Sequence, residues 1–115
     1  MMKKAQLPLI VALAVAAWGA HAQEAKPKDA KTNYTALCKG CHGETGKGDT
    51  KLGKILGARD YSDPKVQESV KDEQMFKSIK EGLKKGDKEL MKPYADKLTD
   101  EEIKALIKYM RAFKK

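Results

Sequence analysis

Apolar residues recur at spacings of three and four in three segments of the chain, and this period is typical of amphipathic helices. The first segment follows Asp29, a residue type that caps helices through its carboxylate. A helix is therefore predicted from Asp29 to about Cys41, with Tyr34, Leu37 and Cys38 on its apolar face.

A second helix is predicted to begin at Asp72, as its cap, and to stop at Gly82. Four of its apolar residues share one face: Met75, Phe76, Ile79 and Leu83. A third helix is predicted after Thr99, because Thr99 and Glu102 have the spacing of a capping box. Its buried face is predicted to hold Ile103, Leu106, Ile107 and Met110.

The segments between these helices are rich in glycine, proline and polar residues, which predict loops over residues 43–63 and 83–94. Asp63 and Pro64 predict the start of a short helix. Three apolar residues have the spacing of another short helical turn that faces a buried partner: Leu52, Ile55 and Leu56. No alternating strand pattern competes after residue 22. The predicted fold class is therefore all-α, with several short helices and long loops wrapped around a central group.

The amino terminus has the three parts of a secretory signal peptide: a basic start, an apolar run over residues 7–18, and Ala20-His21-Ala22. A membrane-spanning helix needs about 20 apolar residues, and this run is shorter. We therefore expect cleavage after Ala22 and a periplasmic protein without membrane attachment. The chain is thus divided into a signal peptide (1–22), a flexible lead-in (23–28) and one domain (29–115).

Loss of the signal peptide narrows the chemistry that the chain can perform. The formal net charge falls from +8 to +6, because two lysines and no acidic residue are removed. His42 becomes the single histidine, and no tryptophan is left. A chain this short buries a modest core, which a large apolar prosthetic group would supplement.

Both cysteines and the remaining histidine lie within five positions, in Cys38-Lys39-Gly40-Cys41-His42. Cys-x-x-Cys-His is the attachment signature of c-type haem. Two thiols at this spacing lie on one helical turn, where both can bond to haem vinyl groups, and His42 can bind the iron from the same side. We expect His42 to use Nε2 for iron and to donate from the other ring nitrogen to a backbone carbonyl.

Three other interpretations of the cysteines are weaker. A thioredoxin-like thiol pair belongs to a βαβ setting, which this sequence lacks. A structural zinc site usually needs four ligands, and the chain after residue 22 offers three side by side without a second cluster. A disulfide between Cys38 and Cys41 would close a very small loop and stabilise little.

Haem iron has a sixth position, and methionine is the natural candidate in a chain without a second histidine. Met75 and Met110 lie on apolar helical faces, where packing in the core is the better interpretation. Met91 lies in a predicted loop that no helix claims. On the residues alone, ligation by Met91 and ordinary packing both remain open.

Taken together, these residues resemble the small class I c-type cytochromes of bacteria, from about Asp29 to Lys115. Tyr34-x-x-x-Cys38-Lys39-Gly40-Cys41-His42-Gly43 is similar to the aromatic residue and CxxCH of that family, and Gly46-x-Gly48 follows. Met91-Lys92-Pro93-Tyr94 is similar to its Met–Pro ligand loop, and residues 98–103 resemble the start of its terminal helix.

The resemblance implies a cytochrome c fold around one haem c, bound covalently through Cys38 and Cys41. It implies His42 and Met91 as the axial ligands of the iron. It also implies that the first and last helices cross, with Tyr34 packing near Tyr109.

Two features depart from the family pattern. No proline occurs between His42 and Pro64 whose carbonyl would orient the haem histidine, and the tryptophan that some members direct at a haem propionate is missing. Arg59 is the candidate propionate contact, since a guanidinium suits a carboxylate, with Tyr61 as a second. An ordinary surface position is an equal alternative for either residue.

The function implied is one-electron transfer between redox proteins by a monomeric carrier that is not an enzyme. The rivals are a haem protein with an open sixth site for peroxide or a gas, a haem-binding subunit of a larger oxidoreductase, and a thiol or metal module without haem. Lysines near the two ligand segments would attract acidic partners, or they are part of a generally basic surface. Nucleic acid is a poor partner for an exported chain with few arginines and aromatic residues.

Overall fold

The computed structural model describes residues 28–115, so the expected signal peptide and most of the lead-in lie outside the described residues. Its elements are, in chain order, α1 (Ala30–Asn33), a π-helical turn (Tyr34–Cys38), α2 (Lys39–His42), α3 (Lys51–Leu56), α4 (Pro64–Ser69), α5 (Asp72–Glu81), β1 (Leu83–Lys85), β2 (Lys88–Met91) and α6 (Asp100–Arg111). Within residues 28–115, no helix is long and apolar enough to cross a membrane.

The first helical segment begins at Asp29, whose carboxylate accepts a hydrogen bond from the backbone N–H of Thr32 at 2.7 Å. It continues through α1, the π-helical turn and α2, which confirms the predicted helix and its cap. The sequence does not predict the π-helical turn. There the backbone N–H of Lys39 donates to the carbonyl of Tyr34, five residues earlier, which widens the helix by one residue.

Helix α6 begins with a complete capping box, as predicted. The Thr99 hydroxyl accepts from the backbone N–H of Glu102 at 3.1 Å, and the Glu102 carboxylate accepts from the backbone N–H of Thr99 at 2.9 Å. The predicted apolar face is buried and packs against the first helical segment. The rings of Tyr34 and Tyr109 lie 5.2 Å apart, so the expected contact between the first and last helices is present.

The start of α5 differs from the prediction in one respect. The N-cap is Lys71 rather than Asp72, and the side chain of Gln74 accepts from the backbone N–H of Lys71 at 2.9 Å. The Asp72 carboxylate is instead engaged by the guanidinium of Arg111, with distances of 2.9 Å to Nε and 2.8 Å to Nη2. This ion pair ties α5 to the end of α6, a long-range contact that a local capping rule does not consider.

Two short helices lie between α2 and α5, as predicted. Thr50 caps α3 by accepting from the backbone N–H of Gly53 at 2.8 Å. Asp63 caps α4 by accepting from the backbone N–H of Lys65 at 2.9 Å, with Pro64 at the first helical position. Local polar caps therefore set both helix starts.

The prediction that residues 83–94 are all loop is wrong, and the fold is therefore not purely helical. Strands β1 and β2 pair antiparallel across Gly86-Asp87. Gly86 has a φ of +63° and Asp87 has a negative φ, as in a two-residue hairpin turn with glycine first. The strands contain no β-branched residue, so the usual strand signal is missing. Leu83, which belongs to β1, is 44% exposed and does not extend the buried face of α5 as predicted.

A buried carboxylate links the amino-terminal end of the described chain to α6. Glu102 accepts hydrogen bonds from the backbone N–H of Lys28 at 2.9 Å and from the side-chain amide of Asn33 at 3.3 Å, besides its bond within the capping box. The backbone N–H groups of Thr99 and Lys28 hold the pKa of Glu102 below its ordinary value of 4.5. The ionised form is therefore favoured by folding.

We expect the stabilisation from Glu102 to be fully present above pH 4.5 and to be lost as the pH falls through the lowered folded-state pKa. Glu102→Gln should be less stable than the wild type at neutral pH and should lose less stability on acidification. Chemical denaturation over a pH series measures both effects. Glu101→Gln, at the exposed neighbour, is the control, and an acid profile for Glu102→Gln that matches this control would contradict the prediction.

Candidate functional site

The three residues of the Cys-x-x-Cys-His sequence lie at the end of the first helical segment. Cys38 closes the π-helical turn, and Cys41 and His42 belong to the last turn, α2. Both thiols are free, with Cys38 buried and Cys41 half-buried. Burial, with a smaller contribution from Cys41, raises the pKa of Cys38 to about 12. At neutral pH Cys38 is therefore a thiol and not a thiolate, which disfavours a reactive thiol pair.

The imidazole of His42 is in the form that binds a metal. Burial lowers the pKa of His42, so the ring is neutral at neutral pH. It packs edge-on against Tyr61, with ring centroids 5.8 Å apart. Nδ1 is buried and has no hydrogen-bond partner within the described chain. The predicted hydrogen bond from this nitrogen to a backbone carbonyl is therefore absent, in keeping with the lack of a proline at the expected place.

The loop that follows His42 folds back over the end of α2 and satisfies its carbonyl groups. The carbonyl of His42 accepts from the backbone N–H of Gly48 at 2.8 Å, and that of Cys41 accepts from the Thr50 hydroxyl at 2.9 Å. The carbonyl of Gly43 accepts from the hydroxyl of Tyr34 at 2.6 Å. Because the last carbonyls of a helix have no partner inside it, these bonds fix where the motif ends.

Helix α3 lies next to the motif and carries exposed apolar side chains. It packs against α2, and its Leu52 and Ile55 are 47% and 60% exposed. An apolar surface next to two thiols and a neutral imidazole fits a large, flat, apolar group that also carries a metal. Within residues 28–115, no set of three or more histidine, cysteine or acidic side chains is placed to hold a metal ion. Two free thiols and one neutral imidazole fit the attachment of haem.

The three methionines differ in burial as the helical pattern predicts. Met75 and Met110 are buried in the core, with 3% and 4% exposure. Met91 is the last residue of β2 and is half-buried against the edge of the core. Three residues later, the hydroxyl of Tyr94 donates to the carbonyl of Leu37 at 3.1 Å. This bond brings the segment with Met91 against the helix that carries Cys38.

The two candidate propionate contacts lie in different environments. Arg59 is exposed and forms no ion pair or side-chain hydrogen bond with the rest of residues 28–115. Tyr61 is buried against His42. The structure therefore brings Tyr61 to the motif and leaves Arg59 on the surface, where its predicted contact stays a prediction.

A protein-family model described as "Cytochrome C oxidase, cbb3-type, subunit III" matches residues 25–110. The chain belongs to this family of c-type cytochromes. Membership supports haem c as the cofactor and electron transfer as the general activity, and it sets aside the thiol and zinc interpretations of the two cysteines.

Solved structures agree with the family. The cytochrome is 42% identical to the "KustC0563 c-type cytochrome", with a TM-score of 0.69 over 76% of this chain and 100% of that chain. It is 40% identical to a tyrosine-to-phenylalanine mutant of "Kustc0563", with a TM-score of 0.66 and the same coverage. A comparison with curated proteins finds no match. The cytochrome c fold is therefore shown, with the β-hairpin as an addition to its helices.

Sequence reasoning misses two contacts of the motif, namely those of the hydroxyls of Thr50 and Tyr94. The position of Thr50 before a short helical turn is a capping signal that identifies an N-cap. Its second bond, to Cys41, has no local signature. The bond of Tyr94 spans 57 positions, so only the folded chain reveals it.

Gly53 allows the closest approach between α3 and the motif in this cytochrome. A Cβ at this position would collide with the carbonyl oxygen of Cys41 and would lie 2.7 Å from that of Gly48. Both obstacles are backbone atoms, which cannot swing away as a side chain can. A larger residue at position 53 therefore has to push α3 away from α2.

We expect Gly53→Ala to lower the free energy of unfolding by roughly 1–3 kcal/mol, the usual cost of overpacking. It should also lower the yield of covalently attached haem, because Cys41 is displaced. Gly40→Ala is the matched control: Gly40 is helical, and a Cβ added to it would meet nothing within 4 Å. Denaturant titration and the haem content of purified protein measure the two effects. Equal stability of both variants would refute the prediction.

Proposed function

We propose that this cytochrome is an exported, monomeric one-electron carrier whose single haem c is bound by Cys38, Cys41, His42 and Met91. The observation that carries the proposal is the placement of two segments that are far apart in sequence. A segment that starts at Met91, the half-buried last residue of β2, lies against the helix that bears the Cys-x-x-Cys-His sequence, and the Tyr94 hydroxyl joins the two at Leu37.

Each residue of the site has a distinct task in this proposal. The thiols of Cys38 and Cys41 would form the two thioether bonds, and the neutral imidazole of His42 and the thioether sulfur of Met91 would bind the iron. When bound, the haem would supply one-electron chemistry. A sulfur ligand would favour the ferrous state and raise the reduction potential, and binding by both His42 and Met91 would keep other molecules away from the metal.

A second candidate function is that of a haem-binding subunit in a larger oxidoreductase. The description of the matching family model favours it, since that description names an oxidase subunit. The solved c-type cytochrome that this chain resembles is matched over its whole length, so the shared unit is a small domain. We infer that the domain acts alone and exchanges electrons through brief encounters with other proteins.

We further propose that lysines next to the two ligand segments steer acidic redox partners toward the haem. Eight of them are exposed: Lys39, Lys47, Lys51, Lys54, Lys84, Lys85, Lys88 and Lys92. A cluster of one charge sign raises the rate of encounter with the opposite sign. The competing interpretation is that the whole surface is basic and that no region is preferred.

The steering proposal predicts that Lys88→Glu together with Lys92→Glu slows electron transfer to an anionic iron complex by roughly tenfold at low ionic strength. The effect should fade at high salt, where charges are screened. Stopped-flow kinetics of the reduced protein measures it. The control is Lys104→Glu together with Lys108→Glu. Both lysines are exposed on α6 and are distant in sequence from the two ligand segments. Equal slowing by both pairs would favour the generally basic surface.

Met91→Ala tests the proposed ligand set directly. Because an electron-rich thioether is lost from the iron, we expect the reduction potential to fall by more than about 59 mV, the one-electron equivalent of a tenfold change in equilibrium constant. The ferric protein should lose its weak absorption near the red end of the spectrum and should bind external imidazole readily. Redox titration and optical spectroscopy of the holoprotein measure these changes.

The matched control for this test is Met110→Leu. Met110 is buried in the core, and leucine conserves its volume approximately, so the potential and the spectrum should stay close to those of the wild type. If Met91→Ala also keeps the wild-type potential and spectrum, Met91 is not the sixth ligand. An open sixth site, or a ligand from elsewhere in the chain, would then replace the carrier proposal.

A further inference from the structure

The segment after Met91 is bound to the end of α5 by its backbone. We call residues 91–95 the Met91 loop. The backbone N–H of Tyr94 donates to the carbonyl of Ile79 at 2.9 Å, and the N–H of Ala95 donates to that of Lys80 at 3.2 Å. These carbonyls belong to the last turn of α5, where intrahelical partners run out. The loop therefore caps α5, and these two hydrogen bonds fix its position on that helix.

Gly82 brings the start of the loop into contact with the same helix end. Its φ is +82°, and a Cβ at this position would lie 2.7 Å from the carbonyl oxygen of Met91 and 3.0 Å from the nitrogen of Pro93. Only glycine combines this backbone conformation with such a close approach. The register of the hairpin adds a further restraint, because Leu83 of β1 lies opposite Met91.

These contacts fix the Met91 loop to α5 and to the hairpin, but none of them reaches the helix with His42. That connection is made by the Tyr94 hydroxyl, which donates to the carbonyl of Leu37 at 3.1 Å. Leu37 directly precedes Cys38 and lies within the π-helical turn. Among the hydrogen bonds of residues 28–115, this is the one that joins the Met91 loop to the helical segment that carries Cys38, Cys41 and His42.

The environment of Tyr94 keeps its hydroxyl protonated, so that it can donate a hydrogen bond. The ring is half-buried and packs against the edge of the core. Burial, followed by the neighbouring cysteines, raises the pKa of Tyr94 above its ordinary value of 10.0. The hydroxyl therefore keeps its proton over the whole neutral range.

We propose that Tyr94 is a positioning residue for the sixth ligand, which ties the loop that bears Met91 to the helix that bears His42 through its hydrogen bond to Leu37. This inference rests on the proposed function, because it takes Met91 as an iron ligand. With the bond in place, the segments that bear His42 and Met91 are tied together. Without it, the hydrogen bonds of the Met91 loop would reach α5 but not the helix with His42, and Met91 would leave the iron more often.

The test is Tyr94→Phe, which removes one hydroxyl and keeps the ring. Imidazole added to the ferric holoprotein has to displace Met91, so its apparent affinity reports how often the sulfur is off the iron. Loss of one hydrogen bond predicts an increase in that affinity of about two- to twelvefold. In a spectrum recorded without imidazole, the absorption of the Met–iron bond should be weaker in Tyr94→Phe than in the wild type.

Tyr109→Phe is the matched control. Tyr109 is also a half-buried tyrosine, and its hydroxyl forms no hydrogen bond within residues 28–115. Met91→Ala marks the limit at which no sulfur competes with imidazole. An increased affinity in Tyr94→Phe, between the values for Tyr109→Phe and Met91→Ala, supports the positioning role.

The other outcomes separate the two proposals. If Tyr94→Phe binds imidazole as the wild type and Tyr109→Phe do, or if both tyrosine variants shift equally, the positioning role is refuted while Met91 stays the ligand. If the wild type already binds imidazole as tightly as Met91→Ala, the proposed ligand set fails, and the role of Tyr94 fails with it.

Discussion

The side chain of Tyr34 is held from two ends at the point where the first helical segment meets α6. Its ring packs against Tyr109 and Phe113, each with centroids 5.2 Å away, and its hydroxyl donates to the carbonyl of Gly43. The residue is 1% exposed. One aromatic residue thus joins the helix pair to the point where the motif ends. The positions of Cys38, Cys41 and His42 depend on the hydrogen bond between Tyr34 and Gly43, because all three residues lie between these two in the chain.

The sequence predicts the elements whose signals are local. Asp29, Asp63 and Thr99 each cap a helix as expected, since the bond runs from a side chain to a backbone N–H two or three residues away. The predicted cap at Asp72 is wrong because Arg111, 39 positions later, binds that carboxylate. The hairpin escapes prediction although Gly86-Asp87 is a known hairpin dipeptide. Its strands are short and lysine-rich, so composition obscures the turn signal.

The site divides in the same way. Cys38, Cys41 and His42 are identified from their spacing alone, and the structure adds that the imidazole is neutral and that Cys38 is a thiol. The contacts that hold the site in place could not be predicted. The bond between Thr50 and Cys41 and that between Tyr94 and Leu37 connect segments whose proximity depends on the whole fold. The sequence favours Arg59 over Tyr61 as a propionate contact, whereas the structure buries Tyr61 against His42 and leaves Arg59 exposed.

The π-helical turn acts as a one-residue insertion placed between two contact surfaces. Before it, Asn33 donates a hydrogen bond to Glu102 of α6; Cys38 ends the turn, and Cys41 and His42 follow in α2. Because a turn closed by a bond across five residues absorbs one extra residue, winding the same residues as an ordinary α-helix would rotate one half of the segment by about 100° relative to the other. Either the contact with α6 or the orientation of the thiols would then be lost. Residues 34–38 therefore have to keep the wide turn, because a regular helix of the same length would align only one of the two surfaces at a time.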